Sequence, residues 1–490
     1  MKNEILNCLS QRSETPALRD RDWLIGYDSQ QLHHFTKELL INLNQLTLSE
    51  KRSPRILIAE TNPLQFLASF LAAVIAETNV FLGNPHWGRQ EWKQVFELVQ
   101  PDLVWGKEEI NSKVEGLSPE MNSGVYKSRK IQNSKLRVFH SPLPIPHPLI
   151  MIPTGGSSGK IRFAMHTWST LSASVAGFCN YFNCKQINSC CVLPLYHVSG
   201  LMQFLRSFLT EGKLAIFPYQ ALKRGEKPEI EPQEFFLSLV PTQLQFLLQS
   251  DPNWLSRFHT VLLGGAPAWR SLFDTARKHR IRLAPTYGMT ETASQVATLK
   301  PEDFLQGNDS SGQILPHAKI SIQNETGKLL DTQETGKITI EADSLYLGYY
   351  PHLVSEKKST SFTTDDLGFL DPQGYLHIVG RNSQKIITGG ENVFPAEVEA
   401  AIFATNLVAD VVAIAVPDFQ WGQVVTAVYV PKNLEVSTNL IREKIKHQLS
   451  KYKQPKHWIR VNNLPRNERG KINYQQINEL ARNYLDKNIE

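Results

Sequence analysis

Thr154-Gly155-Gly156-Ser157-Ser158-Gly159-Lys160-Ile161-Arg162 follows an apolar run, 148–152, that has the composition of a buried β-strand. Three glycines leave this backbone free, three hydroxyl side chains surround it, and Lys160 and Arg162 add two positive charges. Such a loop can bind a polyphosphate through N–H groups, hydroxyls and cations. It is not a Walker A motif, which requires Gly where Thr154 stands and Ser or Thr where Ile161 stands. A plain flexible turn is the alternative.

The length and composition indicate an ordinary globular protein of more than one domain. At 490 residues the chain exceeds what one compact core accommodates. Hydrophobic residues make up 41% and charged residues 20%. Lys+Arg 52 against Asp+Glu 47 gives a net charge of +5. This balance does not indicate a nucleic-acid surface, so no nucleic-acid partner is expected, and a slightly positive field suits anionic small molecules.

The cysteines and the apolar stretches predict a cytoplasmic protein with no membrane span. The five cysteines lack metal-ligand spacing and are expected to be reduced thiols. The pair Cys190-Cys191 begins an apolar strand and should face opposite sides of it. The chain opens on a polar mix, so no signal peptide is expected. The longest apolar stretch, 66–76, is shorter than the ~20 residues that cross a bilayer and reads as a buried helix.

Short apolar strands alternate with helices over the first 300 residues, which predicts an α/β fold with doubly wound sheets. The predicted strands are 55–60, 80–82, 190–195, 261–263 and the end of a strand at 281–284. The predicted helices are 63–77, 92–99, 201–210 and 232–249. The polar segment 106–145 is expected to form surface structure.

Two further units follow. Short β-type segments at 319–323, 337–341 and 375–379 predict a small β subdomain. Beyond Arg381 a helix at 395–403, strands at 408–416 and 424–430, and a helix at 439–449 predict a small α+β unit. We therefore expect an N-terminal domain over residues 1–381 and a mobile C-terminal domain over 382–490.

Four more motifs accompany the loop in a fixed order: Tyr287-Gly288-Met289-Thr290-Glu291, Thr364-Asp365-Asp366-Leu367-Gly368, Gly380-Arg381, and Lys471 in the segment 467–471. From about residue 55 to the C-terminus the chain thereby resembles the adenylate-forming (acyl-CoA synthetase) superfamily. The resemblance implies an acyl-adenylate made from a carboxylate and ATP with Mg²⁺, followed by transfer of the acyl group to a thiol, usually that of coenzyme A. Both steps need stabilisation of charge more than covalent catalysis by the protein.

The resemblance assigns roles to residues around the nucleotide. The loop holds the β- and γ-phosphates, with Arg162 where the family commonly has Lys; Arg keeps the charge and can grip phosphate with two N–H groups. Tyr287 stacks on adenine, Thr290 contacts the α-phosphate and Glu291 holds Mg²⁺. The assigned nucleotide-binding residues are Thr154, Gly155, Gly156, Ser157, Ser158, Gly159, Lys160, Arg162, Gly264, Gly265, Ala266, Pro267, Tyr287, Gly288, Met289, Asp366 and Arg381.

The resemblance also assigns a carboxylate to the ribose and roles to residues of the C-terminal domain. Asp366 is the expected ribose ligand, but Asp365 stands where the family usually has Gly and is the alternative. Lys471 is the lysine that bridges the carboxylate and the α-phosphate. Rotation of the C-terminal domain about Ser383 would present Gly389, Gly390 and Glu391 to coenzyme A.

The segment 194–201 with Arg206 resembles o-succinylbenzoate–CoA ligases. That acid has two carboxylates, one of which reacts while the other needs a cation or donors in the pocket. His197 and Arg206 are the candidates, with packing in the acyl pocket as the alternative for His197. Other possibilities are a fatty or aryl acid ligase, an enzyme that loads a carrier-protein thiol, and a degenerate nucleotide-binding protein. The presence of Glu291, Asp366, Arg381 and Lys471 argues against the last.

Overall fold

A computed structural model describes residues 2–13, 22–49, 54–106, 110, 148–155, 161–353, 361–389, 391–466 and 471–486. The α-helices are α1 (Lys2–Ser13), α2 (Ser29–Ser49), α3 (Pro63–Ile75), α4 (Arg89–Val99), α5 (Trp168–Phe182), α6 (Val198–Leu209), α7 (Tyr219–Lys223), α8 (Pro241–Ser250), α9 (Pro252–Leu255), α10 (Arg270–Lys278), α11 (Pro301–Leu305), α12 (Pro395–Ala404), α13 (Thr438–Ile445) and α14 (Tyr474–Asp486). Short 3₁₀ helices cover Pro232–Glu234, Thr290–Thr292, Asn382–Gln384 and Lys451–Lys453.

The strands form four sheets. They are β1 (Leu24–Ile25), β2 (Arg55–Ile58), β3 (Asn79–Leu82), β4 (Leu103–Trp105), β5 (Ile150–Gly155), β6 (Ile161–His166), β7 (Asn188–Cys191), β8 (Leu214–Ile216), β9 (Phe235–Leu239), β10 (Thr260–Leu263), β11 (Leu283–Met289), β12 (Ser294–Thr298), β13 (Gln313–Ile314), β14 (Ala318–Gln323), β15 (Gly336–Ala342), β16 (Gly348–Tyr349), β17 (His352–Leu353), β18 (Phe362–Leu370), β19 (Leu376–Arg381), β20 (Ile386–Thr388), β21 (Glu391–Val393), β22 (Val408–Asp418), β23 (Gly422–Pro431) and β24 (His457–Arg460).

The first sheet carries the glycine-rich loop at the end of a hairpin. Its order is β17-β16-β6-β5-β3-β2-β4. Strands β2 to β5 pair in parallel, and β6 returns antiparallel to β5 with Thr154 opposite Arg162. The apolar run before the loop is therefore the buried strand that the sequence predicts, with Ile150 to Ile152 all buried.

The second sheet has the order β1-β8-β7-β9-β10-β11-β12-β13 and is parallel from β1 through β11. The chain places β8 on one side of β7 and β9 on the other. In such sheets a crevice opens at the carboxyl ends of the two strands where the winding reverses. The carboxyl ends of β7 and β9 to β11 therefore define the edge at which a ligand site is expected.

Several element predictions were wrong in detail. The predicted helix 232–249 is a 3₁₀ turn, strand β9 and helix α8, because Phe235 to Leu239 pairs with β10 and Pro241 starts the helix after an extended residue. The predicted strand 190–195 is β7 and ends at Cys191, so the cysteine pair closes the strand. Tyr287 to Met289 lies within β11 and pairs with β12, whereas a loop was expected after 284.

The core between the two sheets forms around α3. All but two of its residues are buried, and Asn62 caps its first turn by accepting from the N–H groups of Leu64 and Gln65. The predicted helix 63–77 is thus confirmed as a buried helix that ends at Ile75. Cys190 and Cys191 pack into different hydrophobic clusters, which confirms that they face opposite sides of the sheet.

The remaining two sheets are smaller. The antiparallel sheet β14-β15-β18-β19 is the predicted β subdomain. Strands β20 to β24 form the last sheet, with α12, α13 and α14 in the same C-terminal unit. The Trp269 and Phe403 rings stack at 4.6 Å across the two units. The mixed α/β fold class with a small C-terminal domain is confirmed. Within the described ranges no helix is both long enough and apolar enough to cross a bilayer.

Candidate active site

Glu291 lies in the 3₁₀ turn that connects β11 to β12, at the expected edge of the second sheet. The residue is 7% exposed, and its Oε1 accepts hydrogen bonds from the hydroxyls of Tyr349 at 2.5 Å and of Thr154 at 3.5 Å. Thr154 is part of the glycine-rich motif on β5. The fold therefore brings two motifs together that are 137 residues apart.

Arg162 lies on β6, on the returning side of the same hairpin. Its guanidinium sits 4.6 Å from the centroid of the Tyr349 ring, and Gly155 pairs with Ile161 at the end of the hairpin. An arginine stacked on a phenol keeps the edges of its guanidinium for a further ligand. The predicted ligands Gly156, Ser157, Ser158, Gly159 and Lys160 lie outside the described residues.

Tyr287, Asp366 and Arg381 form a second cluster on strands β11, β18 and β19. The Tyr287 hydroxyl donates to Asp366 Oδ2 at 2.8 Å, and Arg381 Nε donates to Asp366 Oδ1 at 3.2 Å. Burial and then the Asp366 charge raise the pKa of Tyr287, which stays a protonated donor. Two predicted nucleotide ligands thus meet on the carboxylate that the sequence favours for the ribose.

Asp365 faces a different partner. The backbone N–H of Ser383 donates to both of its carboxylate oxygens, at 3.2 and 3.4 Å, and the Ser383 hydroxyl donates to Oδ2. Ser383 lies in the 3₁₀ turn Asn382–Gln384 that leads into the C-terminal unit. The two neighbouring aspartates therefore divide between Tyr287 and Arg381 on one side and the predicted hinge on the other.

The segment 264–267 follows β10 and is half-buried to exposed. A Cβ on Gly264 would lie 2.5 Å from the hydroxyl oxygen of Thr286, and Gly265 has a φ of +82°. At Gly264 a side chain would collide with the neighbouring strand. At Gly265 the left-handed backbone disfavours any residue with a Cβ, so glycine fits both positions. Ala266 and Pro267 are exposed beside them. The segment offers backbone that a flat ring can approach.

Gly288 and Met289 end strand β11 next to Glu291. A Cβ on Gly288 would meet the carbonyl oxygen of Ser294 at 2.1 Å, so the close approach of β12 requires glycine. The pairing register shifts between Tyr287 and Gly288. This bulge re-aims the strand just before the turn.

His166 fixes the position of Thr290. Its Nε2 donates to the Thr290 carbonyl at 2.8 Å, and its Nδ1 lies 3.1 Å from the Thr170 hydroxyl. A carbonyl only accepts, so Nε2 carries the hydrogen of the neutral ring. Burial lowers the pKa of His166 to about 4, which keeps the ring neutral.

Arg206 lies on α6 and is 3% exposed. Its Nη2 donates to the Ser294 hydroxyl at 2.9 Å and to Gln295 Oε1 at 2.8 Å, and the guanidinium carbon sits 4.1 Å from the centroid of Phe178. Burial lowers the pKa of Arg206 to about 10. The guanidinium is a buried cation beside neutral side chains.

His197 precedes the first residue of α6, the helix that carries Arg206. It is 7% exposed, and its ring lies 4.5 Å from that of Tyr196. The two predicted acyl-pocket residues, nine positions apart in the chain, therefore both follow β7, His197 just before α6 and Arg206 within it.

The C-terminal residues lie on two loops. Lys471 is exposed, and the next residue, Ile472, forms an isolated antiparallel bridge with Arg466. Burial raises the pKa of Tyr474, at the start of α14, to about 12, with Arg381 acting in the opposite direction. The start of α14, three residues after Lys471, therefore lies near the strand end that bears Arg381.

Gly389 and Glu391 flank the turn between β20 and β21. Gly389 has a φ of +57°, its N–H donates to the Trp421 carbonyl at 2.9 Å, and Glu391 is exposed. Gly390, predicted with them, lies outside the described residues. The turn presents an exposed surface of the C-terminal unit.

Sequence reasoning missed Tyr349, His166, Ser294 and Gln295. Tyr349 and His166 reach their partners 58 and 124 residues away, and Arg206 reaches Ser294 over 88 residues. A tyrosine, a histidine and a serine in ordinary strands carry no local pattern that marks these contacts. Ser294 and Gln295 lie three and four residues after the Tyr287–Glu291 motif, and that closeness in the chain was the one available indication.

Two family models match the chain. The model of AMP-binding enzymes matches residues 44–350, and the model of their C-terminal domain matches residues 397–471. The chain belongs to the AMP-binding enzyme family.

The curated relatives point to one activity. A 2-succinylbenzoate–CoA ligase from Enterococcus faecalis is 27% identical over 473 residues, which is 95% of each chain. Another from Oceanobacillus iheyensis is 31% identical over 332 residues, 66% of this chain and 68% of the relative.

Solved structures share the fold. The o-succinylbenzoate CoA synthetase (MenE) from Bacillus subtilis in complex with its acyl-adenylate intermediate OSB-AMP superposes with a TM-score of 0.78 at 24% identity, over 96% of this chain and 97% of that one. ATP-bound MatB from Rhodopseudomonas palustris gives 0.73 at 23% identity, over 91% and 92%.

Proposed function

We propose that this chain is an ATP-dependent acid–CoA ligase that acts on 2-succinylbenzoate, a step of menaquinone or phylloquinone synthesis. The products are 2-succinylbenzoyl-CoA, AMP and diphosphate. Relatives named for this activity align over nearly the whole chain, and the matched family supplies the nucleotide chemistry. The observation that carries the choice of acid is the buried guanidinium of Arg206.

Arg206 suits the second carboxylate of this substrate. Within the described part of the chain, its Nε and the Nε2 of Gln295 are buried without a hydrogen-bond partner. A buried carboxylate without donors costs several kcal/mol, and a buried cation beside neutral groups is equally unfavourable alone. The anion and these N–H groups would satisfy one another. His197 stands immediately before the same helix.

In the first half-reaction the reacting carboxylate oxygen attacks the α-phosphorus of ATP, and the bond to diphosphate breaks. The loop from Thr154 to Arg162 holds the β- and γ-phosphates, and Thr290 contacts the α-phosphate. Lys471 bridges the two reacting groups and stabilises the charge that develops between them.

Glu291 fits a magnesium ion. Mg²⁺ usually takes one or two carboxylates and completes its shell with phosphate oxygens and water. The two hydroxyls on Oε1 orient the Glu291 carboxylate and leave Oε2 as a ligand atom. When bound, the ion supplies charge neutralisation on the phosphates. Thr154 and Tyr349 hold the carboxylate for it.

The nucleoside lies between two elements of the proposed N-terminal domain. The backbone of Gly264 to Pro267 and the strand from Tyr287 to Met289 flank the adenine. Asp366 accepts from the ribose hydroxyls, and Arg381 supports that carboxylate and reaches the ribose or phosphate. The hydrogen bonds among Tyr287, Asp366 and Arg381 support this assignment.

In the second half-reaction the sulfur of coenzyme A attacks the acyl carbon, the bond to AMP breaks, and the thiol proton leaves to solvent. Residues 382–490 rotate about Ser383 relative to residues 1–381 and bring Gly389, Gly390 and Glu391 to coenzyme A. The proposal includes a cytoplasmic location, supported by five cysteines that are all free thiols.

Diphosphate release and thioester formation with a panel of acids test the proposal. We expect kcat/KM for 2-succinylbenzoate to exceed that for benzoate and for every fatty acid tested. A higher value for benzoate or a fatty acid would overturn the choice of acid and leave the ligase activity standing. If the acyl group is transferred to a phosphopantetheinyl carrier protein but not to coenzyme A, the thiol substrate is the carrier protein and not coenzyme A.

A further inference from the structure

The segment 346–350 crosses the proposed ATP site and is held from both sides. The Tyr346 N–H donates to the Glu291 carbonyl at 2.9 Å. The N–H groups of Leu347 and Tyr350 donate to β6, and Tyr349 pairs with Ala164 there. Its backbone is therefore tied both to the turn that carries Glu291 and to the strand that carries Arg162.

This anchoring gives Tyr349 a defined direction. Tyr349 ends strand β16 and Tyr350 lies in the turn that follows, and the contacts of their rings show that they face different sides. The Tyr350 ring packs edge-on against Phe81 in the core at 4.9 Å. The Tyr349 ring faces the other way, beneath Arg162 and within hydrogen-bond distance of Glu291.

From this geometry we propose that Tyr349 is a positioning residue that holds Glu291 and Arg162 at a fixed separation for a metal-bound triphosphate. The inference rests on the proposed use of MgATP. The phenol hydroxyl occupies Glu291 Oε1 and directs the carboxylate, while the ring face supports the Arg162 guanidinium. One side chain thus sets both the anion that binds the metal and the cation that binds phosphate.

The phenol also keeps the two charges apart. Arginine and carboxylate side chains pair directly when nothing separates them, and a paired Glu291 and Arg162 would each be less available to a ligand. The Tyr349 hydroxyl donates to Glu291 Oε1 in place of a cation. The same arrangement accounts for Arg162 in place of the common lysine, because a planar guanidinium stacks on the ring and keeps free edges.

Equilibrium binding of ATP to the whole enzyme, without acid or coenzyme A, tests this role. We expect Tyr349→Phe to raise the Mg²⁺ concentration needed for tight ATP binding by about tenfold, as for other hydrogen-bond partners of metal ligands. AMP binding should stay unchanged, because AMP lacks the β- and γ-phosphates. Tyr350→Phe is the matched control, since it removes the same atom one residue along on the opposite face.

A double-mutant comparison tests the stacking. Arg162→Lys should weaken MgATP binding severalfold in the wild type and much less in a Tyr349→Leu background, where the ring is already absent. Equal effects in both backgrounds would remove the stacking from the proposal. Identical Mg²⁺ titrations for Tyr349→Phe and Tyr350→Phe would overturn the positioning role.

The binding experiment separates this inference from the proposed choice of acid. If the wild type binds MgATP but prefers another acid, the choice of acid fails and the role of Tyr349 is unaffected, because neither acid nor thiol is present in the binding experiment. If the wild type binds no MgATP, both fail. Equal losses for AMP and MgATP in Tyr349→Phe would indicate general damage to the site and also overturn the inference.

Discussion

Hairpin β11–β12 serves two clusters that handle charge in opposite ways. At its turn, Glu291 is a carboxylate that accepts from hydroxyl donors. At the start of β12, just after this turn, the side-chain oxygens of Ser294 and Gln295 accept hydrogen bonds from the buried cation of Arg206. In the proposed function the first arrangement prepares an anion to receive a metal, and the second leaves a cation to receive an anion. The charge left over in each cluster therefore indicates the class of ligand that it accepts.

The largest expected effect concerns Lys471, for which we propose the role of a cation between the reacting carboxylate and the α-phosphate. Lys471→Ala should slow acid-dependent diphosphate release by about a thousandfold, because a preorganised charge contact contributes roughly 3–4 kcal/mol. Thioester formation from supplied acyl-adenylate should largely survive. Rates of the two half-reactions measured separately check this. Near-normal adenylation would remove Lys471 from the first step.

Arg206 tests the acid side of the comparison. Arg206→Met keeps much of the volume but removes the donors, and kcat/KM for 2-succinylbenzoate should fall by roughly a few hundredfold relative to benzoate, as when one partner of a buried charge pair is lost. Thermal stability should hold or rise, because burial already lowers the pKa of this cation to about 10. Equal losses for both acids would make Arg206 structural.

The third prediction concerns His166, which holds the turn between the two clusters through the Thr290 carbonyl. Burial lowers its pKa to about 4, below the ordinary value of about 6.5. The unfolded chain therefore binds the extra proton first, so this contribution is complete above pH 6.5 and is lost as the pH falls from 6.5 to 4. The loss should reach about 3 kcal/mol.

Urea unfolding at a series of pH values measures the effect of His166. His166→Gln should flatten the acid side of the stability profile over that window, and His34→Gln, at an exposed histidine on α2, should not. A profile for His166→Gln that matches the wild type would show that the ring does not titrate with unfolding.

The smallest expected effect concerns Asp365, whose carboxylate holds Ser383. Asp365→Ala should change the rate of acyl transfer to coenzyme A by about fivefold, the scale of one hydrogen bond, and leave adenylation unchanged. Single-turnover transfer from preformed adenylate measures it. Asp365→Asn keeps an acceptor and serves as the control. A change confined to adenylation would return Asp365 to the ribose side.

Some of this site could be predicted from sequence because its chemistry is local. The glycine-rich loop and the segment from Tyr287 to Glu291 each place special residue types next to one another, so pattern alone identified them. The buried helix α3 and most strands followed from apolar periodicity. The prediction of a helix over 232–249 was wrong because the apolar run Phe235 to Leu239 suits a buried strand as well as a helix. Only its pairing with β10 decides between strand and helix.

The tertiary structure alone decided which motifs contact one another. Tyr349 beneath Arg162, His166 on the Thr290 carbonyl, and Asp366 rather than Asp365 beside Tyr287 all join residues remote in the chain. The sequence by itself determined the order of motifs, the fold class and the family's chemistry, because these depend on residue type and local spacing. Which side chains contact one another depends on which strands the core places side by side, and that depends on the packing of the entire chain.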